Sequence, residues 1–298
     1  MNKVRTSVAS GLHLRWKKFK RSHKKMRMFR RADVVLVAYA KSGRTWLSVM
    51  ITHLAHQHFG TPLDQLVGSS AFLRNYPDLP QFFLTADNFA PPSMSEQALI
   101  DLYKGRKVIL LVRDPRDIVV SLYYQLSKRS SPLTQAVFEV PENLSEMALF
   151  DFVRDERAGL PSVIAWLNRW QGLIAEIPES LTLHYEHLRS ETASDLAAVA
   201  ELIGWDCSPA EIQAAVDFAD FDKLKSLERQ KFFQSGRMQP GDPGDPNSYK
   251  VRRGKVGGYR EDFTPEQIAW MDRIMAEQLS PALGYAVDGE AKLAISGG

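Results

Sequence analysis

The residues best suited to chemistry in this chain are cations and hydroxyls grouped around glycines, in three segments. The first is Tyr39-Ala40-Lys41-Ser42-Gly43-Arg44-Thr45-Trp46. It lies between a β-branched apolar run and a helical pattern. Free backbone N–H groups and the positive end of a helix dipole would meet there, an arrangement that favours a phosphate or sulfate. Gly43 permits close backbone approach, Lys41 adds a cation, and Ser42 and Thr45 add hydroxyls. This is not a Walker A loop, because the lysine precedes the glycine and no Gly-Lys-Ser/Thr step follows. An ordinary structural turn is the plainer alternative.

The second segment is Arg113-Asp114-Pro115-Arg116-Asp117, continuing to Ser121. Arg113 leaves the carboxyl end of an apolar strand, where open α/β sheets bind ligands, and Ser121 falls about a turn into the next helix. A guanidinium fork beside a hydroxyl suits a phosphate monoester. Simple pairing of Arg113 with Asp117 is the competing reading. The third segment, Val251-Arg252-Arg253-Gly254-Lys255-Val256-Gly257-Gly258-Tyr259, reads as a flexible cationic flap able to close over an anion, or else as a solvated face.

The elements that must position these segments follow from periodicity. Val34–Val37 and Lys107–Val112 are short apolar runs of the buried parallel-strand type, and Leu181–Tyr185 is a third strand. Helices are expected at Thr45–Phe59, ending at Gly60, and from a cap at Asp117 to about Lys128. Others are expected at Pro161–Glu176, Thr192–Ile203, Pro209–Phe218 and Thr264–Leu279. Strands alternating with helices predict one α/β domain, a doubly wound parallel sheet flanked by helices. Gln234–Lys250 is too rich in Pro and Gly for regular structure and reads as a lid. The limits are a basic arm at 1–32, a domain at 33–285 and a tail at 286–298.

Composition narrows the class. With 298 residues, 44% hydrophobic and 24% charged, the chain has the make-up of a globular protein with one substantial core. The single cysteine, Cys207, excludes a disulfide framework and a clustered thiolate metal site, and suits a cytoplasmic setting. No apolar run reaches membrane-span length and no signal peptide is visible. Charge is unevenly spread: residues 1–31 carry twelve Lys or Arg and no acid, so a total of +3 leaves −9 on the rest. Leu12, Leu14, Trp16, Phe19, Met26 and Phe29 interleave with those cations. The arm is therefore either a surface helix on an anionic membrane or polymer, making the protein membrane-peripheral, or a solvated tail. RNA-reading motifs and a basic body are lacking, so no nucleic acid is expected.

Taken in order, Tyr-x-Lys-Ser-Gly-x-Thr-Trp, Arg-x-Pro-x-Asp-x-x-x-Ser and Arg-Arg-Gly-x-x-Gly resemble the sulfotransferases that use 3′-phosphoadenosine 5′-phosphosulfate (PAPS), over roughly residues 33–280. The resemblance implies a fold like that of the P-loop nucleotide kinases. It also implies transfer of a sulfuryl group from PAPS to a hydroxyl or amine, with adenosine 3′,5′-bisphosphate as product and no metal. By it, Lys41, Ser42, Gly43, Arg44 and Thr45 hold the 5′-phosphosulfate, with Lys41 catalytic. Arg113, Ser121, Arg252, Arg253 and Gly254 hold the 3′-phosphate. Trp46 and Phe221 stack on the adenine, and Tyr185 bonds its amino group.

Two residues depart from that pattern. Ala40 stands where the family usually has proline. In Thr85-Ala86-Asp87, Ala86 occupies the place of the family's catalytic histidine, leaving Asp87 as the substitute base and the enzyme open to impairment. His53, His56 and His184 read better as structural residues. Phe72, Tyr76, Phe82, Phe83, Phe138 and Phe150 suggest a small-molecule or lipid-like acceptor with an apolar portion. The competing functions are a P-loop nucleotide kinase, and a basic-arm membrane-binding protein with a vestigial nucleotide site.

Overall fold

A computed structural model of the chain describes residues 16, 20–87, 89, 94–128, 130–138, 140–141, 143–235, 238, 242, 244, 249–250 and 254–285. Helix α1 covers residues 20–29. There follow β1 (Val34–Ala38), α2 (Arg44–Phe59), α3 (Ser70–Asn75), β2 (Phe82–Thr85), α4 (Glu96–Tyr103) and β3 (Lys107–Val112). Next come α5 (Pro115–Lys128), α6 (Pro132–Val137), α7 (Leu149–Arg154), α8 (Leu160–Ile174), β4 (Ser180–His184) and α9 (Tyr185–Ser190). The chain continues through α10 (Thr192–Ile203), α11 (Pro209–Phe218), α12 (Phe221–Arg229) and α13 (Pro265–Gln278), with 3₁₀ turns at Gly258–Glu261 and Pro281–Leu283.

The four strands form one parallel sheet in the order β2-β1-β3-β4. Strand alternation divides the core between its faces. Val35, Val37, Val108, Leu110 and Val112 pack with α5, α8 and α13 on one side. Val34, Leu36, Ala38, Ile109 and Leu111 pack with α2, α10 and α11 on the other. From β1 the chain crosses outward to β2, then back over β1 to β3. The strand order therefore reverses between β1 and β3, and a crevice opens beyond their carboxyl ends. The Lys41 and Arg113 segments leave those two ends. Topology alone brings them together.

Three expectations from sequence change. Strand β2 is not among the predicted strands, and it carries Thr85 and Ala86 to the crevice. The body begins before Asp33, because Phe29 of α1 is fully buried with its ring 4.9–5.7 Å from those of Phe83, Phe89 and Tyr103. Burying a phenylalanine contributes about 1.5–3 kcal/mol, enough to anchor a short helix. The C-terminal part of the basic arm is thus part of the domain; residues 1–15 and 17–19 lie outside the described residues, as does the tail at 286–298. Finally, α5 starts at Pro115, so Asp117 lies within its first turn and its carboxylate is used at long range. Most of the lid at Gln234–Lys250 also lies outside the described residues. Two of its described positions are tied to the body: the Gln234 N–H donates to the Asp64 carbonyl at 3.0 Å, and the Lys250 N–H to Glu228 Oε1 at 2.6 Å.

Candidate functional site

The loop between β1 and α2 is tightly constrained. Lys41 and Gly43 both have positive φ, 77° and 94°. A non-glycine residue held there stores backbone strain, which tends to collect at functional sites. At Gly43 the need for glycine is steric as well, since a Cβ would sit 2.7 Å from Cδ2 of the Tyr185 ring. Gly43 opens α2 without a side-chain cap, so no side chain competes for the first N–H groups of a sixteen-residue helix. Ser42 is fully buried and does not line the cavity, and its Oγ has no hydrogen-bond partner among the described residues.

Arg113 ties this loop to the flap. Its Nη1 donates to the Lys41 carbonyl at 3.1 Å and its Nη2 to the Lys255 carbonyl at 2.9 Å. The guanidinium also pairs with Asp117 at 3.3 Å and lies 4.2 Å over the Tyr185 ring. The competing Arg113–Asp117 pairing is therefore real, yet Arg113 also lines the crevice, and its buried Nε has no partner among the described residues. Asp117 completes the clamp: Oδ2 accepts the Gly257 N–H at 2.8 Å and Oδ1 accepts the Tyr259 N–H at 3.0 Å. Gly254 has φ 62°, and a Cβ there would lie 2.6 Å from the Phe221 ring.

Behind the crevice, the Trp46 indole N–H donates to the Ala219 carbonyl at 2.8 Å. The Trp46 ring meets Tyr185 edge-on at 6.0 Å, and the Arg189 guanidinium lies 5.3 Å from its centroid.

These parts enclose a cavity of about 300 Å³. Of the residues singled out from sequence, it brings together Lys41, Gly43, Arg44, Thr45, Trp46, Ala86, Arg113, Ser121, Tyr185, Phe221 and Gly254. Arg252 and Arg253 lie outside the described residues. Phe138 reaches the cavity, whereas Phe72, Phe82 and Phe83 are buried core residues and Phe150 packs on Phe263 and Trp270. Among the described lining residues are eight cations and one acid, Asp117. Lys255 belongs to the cationic flap read from sequence, whereas Arg21, Lys25, Arg189 and Lys250 of that set are not singled out there as site residues. Arg21 and Lys25 lie within a run of cations that shows no preferred face.

Asp87 is not brought to the cavity. It sits past β2 at φ 56° with its side chain 1% exposed. Tyr103 donates to Oδ1 at 3.1 Å, and Arg169 lies 3.8 Å from Oδ2. Burial outweighs both partners and pushes its pKa up to about 6. The substitute base expected from sequence thus faces the core. The histidines are structural as well: His53 contacts Gln57 at 3.3 Å, His56 contacts the Thr61 carbonyl at 2.7 Å, and His184 packs 5.5 Å from Tyr285. Ala86 lines the cavity with no side-chain group able to accept a proton, and its carbonyl accepts from the Trp166 indole at 3.1 Å.

Such a site, at the switch point of a parallel sheet with a cationic loop before a helix, defines a protein that handles phosphorylated or sulfated ligands. The sulfotransferase domain profile matches residues 31–282, and the chain belongs to that family. It is 25% identical over 281 residues to cytosolic sulfotransferase 10 of Arabidopsis thaliana, covering 83% of this chain and 78% of that protein. It is likewise 25% identical to flavonol 3-sulfotransferase of Flaveria bidentis (83% and 81% covered) and 24% identical to 3-alpha-hydroxysteroid sulfotransferase of Cavia porcellus (83% and 84% covered). Its fold is shared with a mouse sulfotransferase solved with PAP, at TM-score 0.56, 20% identity and 83% and 84% coverage. It is shared too with a retinol dehydratase solved with androsterone and PAP, at TM-score 0.55, 17% identity and 88% and 83% coverage.

Proposed function

We propose that the protein moves the sulfuryl group of PAPS to a hydroxyl or amine of a small-molecule acceptor that has an apolar portion. The observation that carries this reading is the charge of the cavity, eight cations against one acid among the described lining residues, in a body whose remainder beyond residue 31 is net negative. A low-dielectric cleft of one sign concentrates polyanions and little else. The nucleotide kinase alternative lacks its Gly-Lys-Ser/Thr step.

Arg113 Nε, which has no partner among the described residues, and the glycines at 43 and 254, where a Cβ would meet an aromatic ring, fit a donor with a phosphate at each end. Lys41, Arg44, Thr45 and the start of α2 hold the 5′ end; Arg113, Ser121 and the Gly254 flap hold the 3′-phosphate. Trp46, Tyr185 and Phe221 take the adenine. PAPS supplies an activated sulfuryl group. The protein orients it, and Lys41 stabilises the negative charge that grows on the oxygen linking it to the phosphate.

Proton removal is the step with least help. Ala86 has no accepting group, Asp87 faces away, and both oxygens of Asp117 already accept flap N–H groups. A general base contributes roughly 10²–10⁴ in rate. This enzyme is accordingly slow with acceptors of high pKa and faster with acidic ones.

The names of the relatives, among them flavonol and hydroxysteroid sulfotransferases, support a small-molecule acceptor, and those called cytosolic support a cytoplasmic protein. Exposed Lys24, Arg27, Arg30 and Arg31 support reversible attachment to an anionic membrane surface, checked by sedimentation with anionic vesicles. The central test is calorimetric titration with adenosine 3′,5′-bisphosphate, ADP and ATP. Preference for the 3′-phosphorylated nucleotide is expected; equal affinity for ADP refutes the donor assignment.

A further inference from the structure

Helix α1 has two distinct faces. Phe29 is sunk in the core, and the Ser22 hydroxyl donates to the Phe89 carbonyl at 2.7 Å, which fixes the helix against the loop after β2. On that fixed helix His23, Lys24 and Arg27 are exposed, whereas Arg21 and Lys25 are half-buried. Arg21 and Lys25 are one turn apart, so they share a face, and both line the cavity with Lys41, Thr85 and Ala86. They approach from the β2 side. The Gly254 flap, Phe221 and Arg189 line the same cavity from later elements, together with Trp46 and Tyr185, which the proposed reading gives to the adenine.

Two cations set side by side on the wall of a low-dielectric cleft draw an anion to the space before them. We infer that Arg21 and Lys25 form an oxyanion subsite for the acceptor: the physiological acceptor carries a carboxylate or similar oxyanion at the end away from its reacting group. Arg21 supplies a planar fork matched to two oxygens, and Lys25 a point charge beside it. The subsite rests on the proposed PAPS reading, because it gives α1's end of the cavity to the acceptor.

Binding rather than turnover separates the two ideas. Protein saturated with adenosine 3′,5′-bisphosphate is titrated with 4-hydroxybenzoate, 4-hydroxybenzenesulfonate and neutral methyl 4-hydroxybenzoate. The wild type is expected to bind the two anions more tightly than the ester. Arg21→Gln and Lys25→Gln should each weaken anion binding about ten- to hundredfold, the loss expected for a charge-assisted hydrogen bond. The ester and the bisphosphate should keep their affinities. Lys24→Gln, on the exposed face, should behave as wild type, which controls for a general charge effect. An ester bound as tightly as the anions, or variants that weaken all three phenols equally, overturns the subsite. Loss of bisphosphate affinity in Arg21→Gln with unchanged phenol binding assigns the pair to the donor and overturns it too. Failure of the wild type to bind the bisphosphate would instead sink the donor reading.

Discussion

Asp87→Asn separates a buried structural carboxylate from a catalytic one. Asparagine keeps the carbonyl oxygen that accepts from Tyr103 and tolerates positive φ, so the change removes charge with little else. Burial raises the pKa of Asp87 from an ordinary value of about 3.9 to about 6. The folded protein therefore holds this proton more tightly than the unfolded chain does. Its stabilising contribution is complete below about pH 3.9 and is lost as pH rises through about 6. Two pKa units correspond to about 3 kcal/mol. Between pH 4 and pH 7 the wild type should lose about that much relative to Asp87→Asn, and groups common to both proteins cancel in the difference.

The assay is urea unfolding of both proteins at unit steps from pH 4 to pH 8. A second readout, turnover at pH 7 with saturating donor, should stay within about twofold, because the carboxylate points at Tyr103 and Arg169 and not at the cavity. A difference that stays flat with pH shows that the carboxylate is not desolvated as described. A hundredfold loss of turnover in a folded Asp87→Asn protein makes Asp87 the base and refutes the placement.

Three further outcomes are expected. Lys41→Ala should lower turnover about 10²–10³-fold while leaving the unfolding midpoint nearly unchanged, and single-turnover kinetics at saturating donor would expose a lysine that only shapes the loop. Gly254→Ala, at φ 62° and against the Phe221 ring, should weaken adenosine 3′,5′-bisphosphate binding at least tenfold; unaltered calorimetric affinity would show that the flap does not touch the nucleotide. Ala86→His should raise turnover by up to about 10²-fold, with a rise in rate as pH passes through the pKa of the new imidazole; a flat pH–rate profile would mean that proton removal does not limit this enzyme.

The parts of the site legible in the sequence share one property: their chemistry and their placement come from the same short segment. Lys41 to Thr45 follow directly on a strand and open a helix, so residue type and direction are read together. Arg113 and Ser121 do the same after β3. What the sequence hides depends on partners far along the chain. Asp117 looks like a helix cap until Gly257 and Tyr259 arrive 140 and 142 residues later to use both of its oxygens. Arg21 and Lys25 look like any other arm cations until Phe29 fixes which side of α1 faces inward.

Position 86 is the sharpest case. Strand β2 is only four residues long, and no alternation of polar and apolar residues in Phe82–Thr85 distinguishes it from a loop. Without the strand nothing says which way the residues after it point. Once it is paired in register with β1, Ala86 falls at the cavity wall, and the next residue turns through φ 56° into the core. A carboxylate one position along from a missing histidine is therefore not a displaced copy of it. The single step moves the side chain from the cavity wall to Tyr103 and Arg169, so that under the proposed reading its proton answers to protein stability and not to the acceptor.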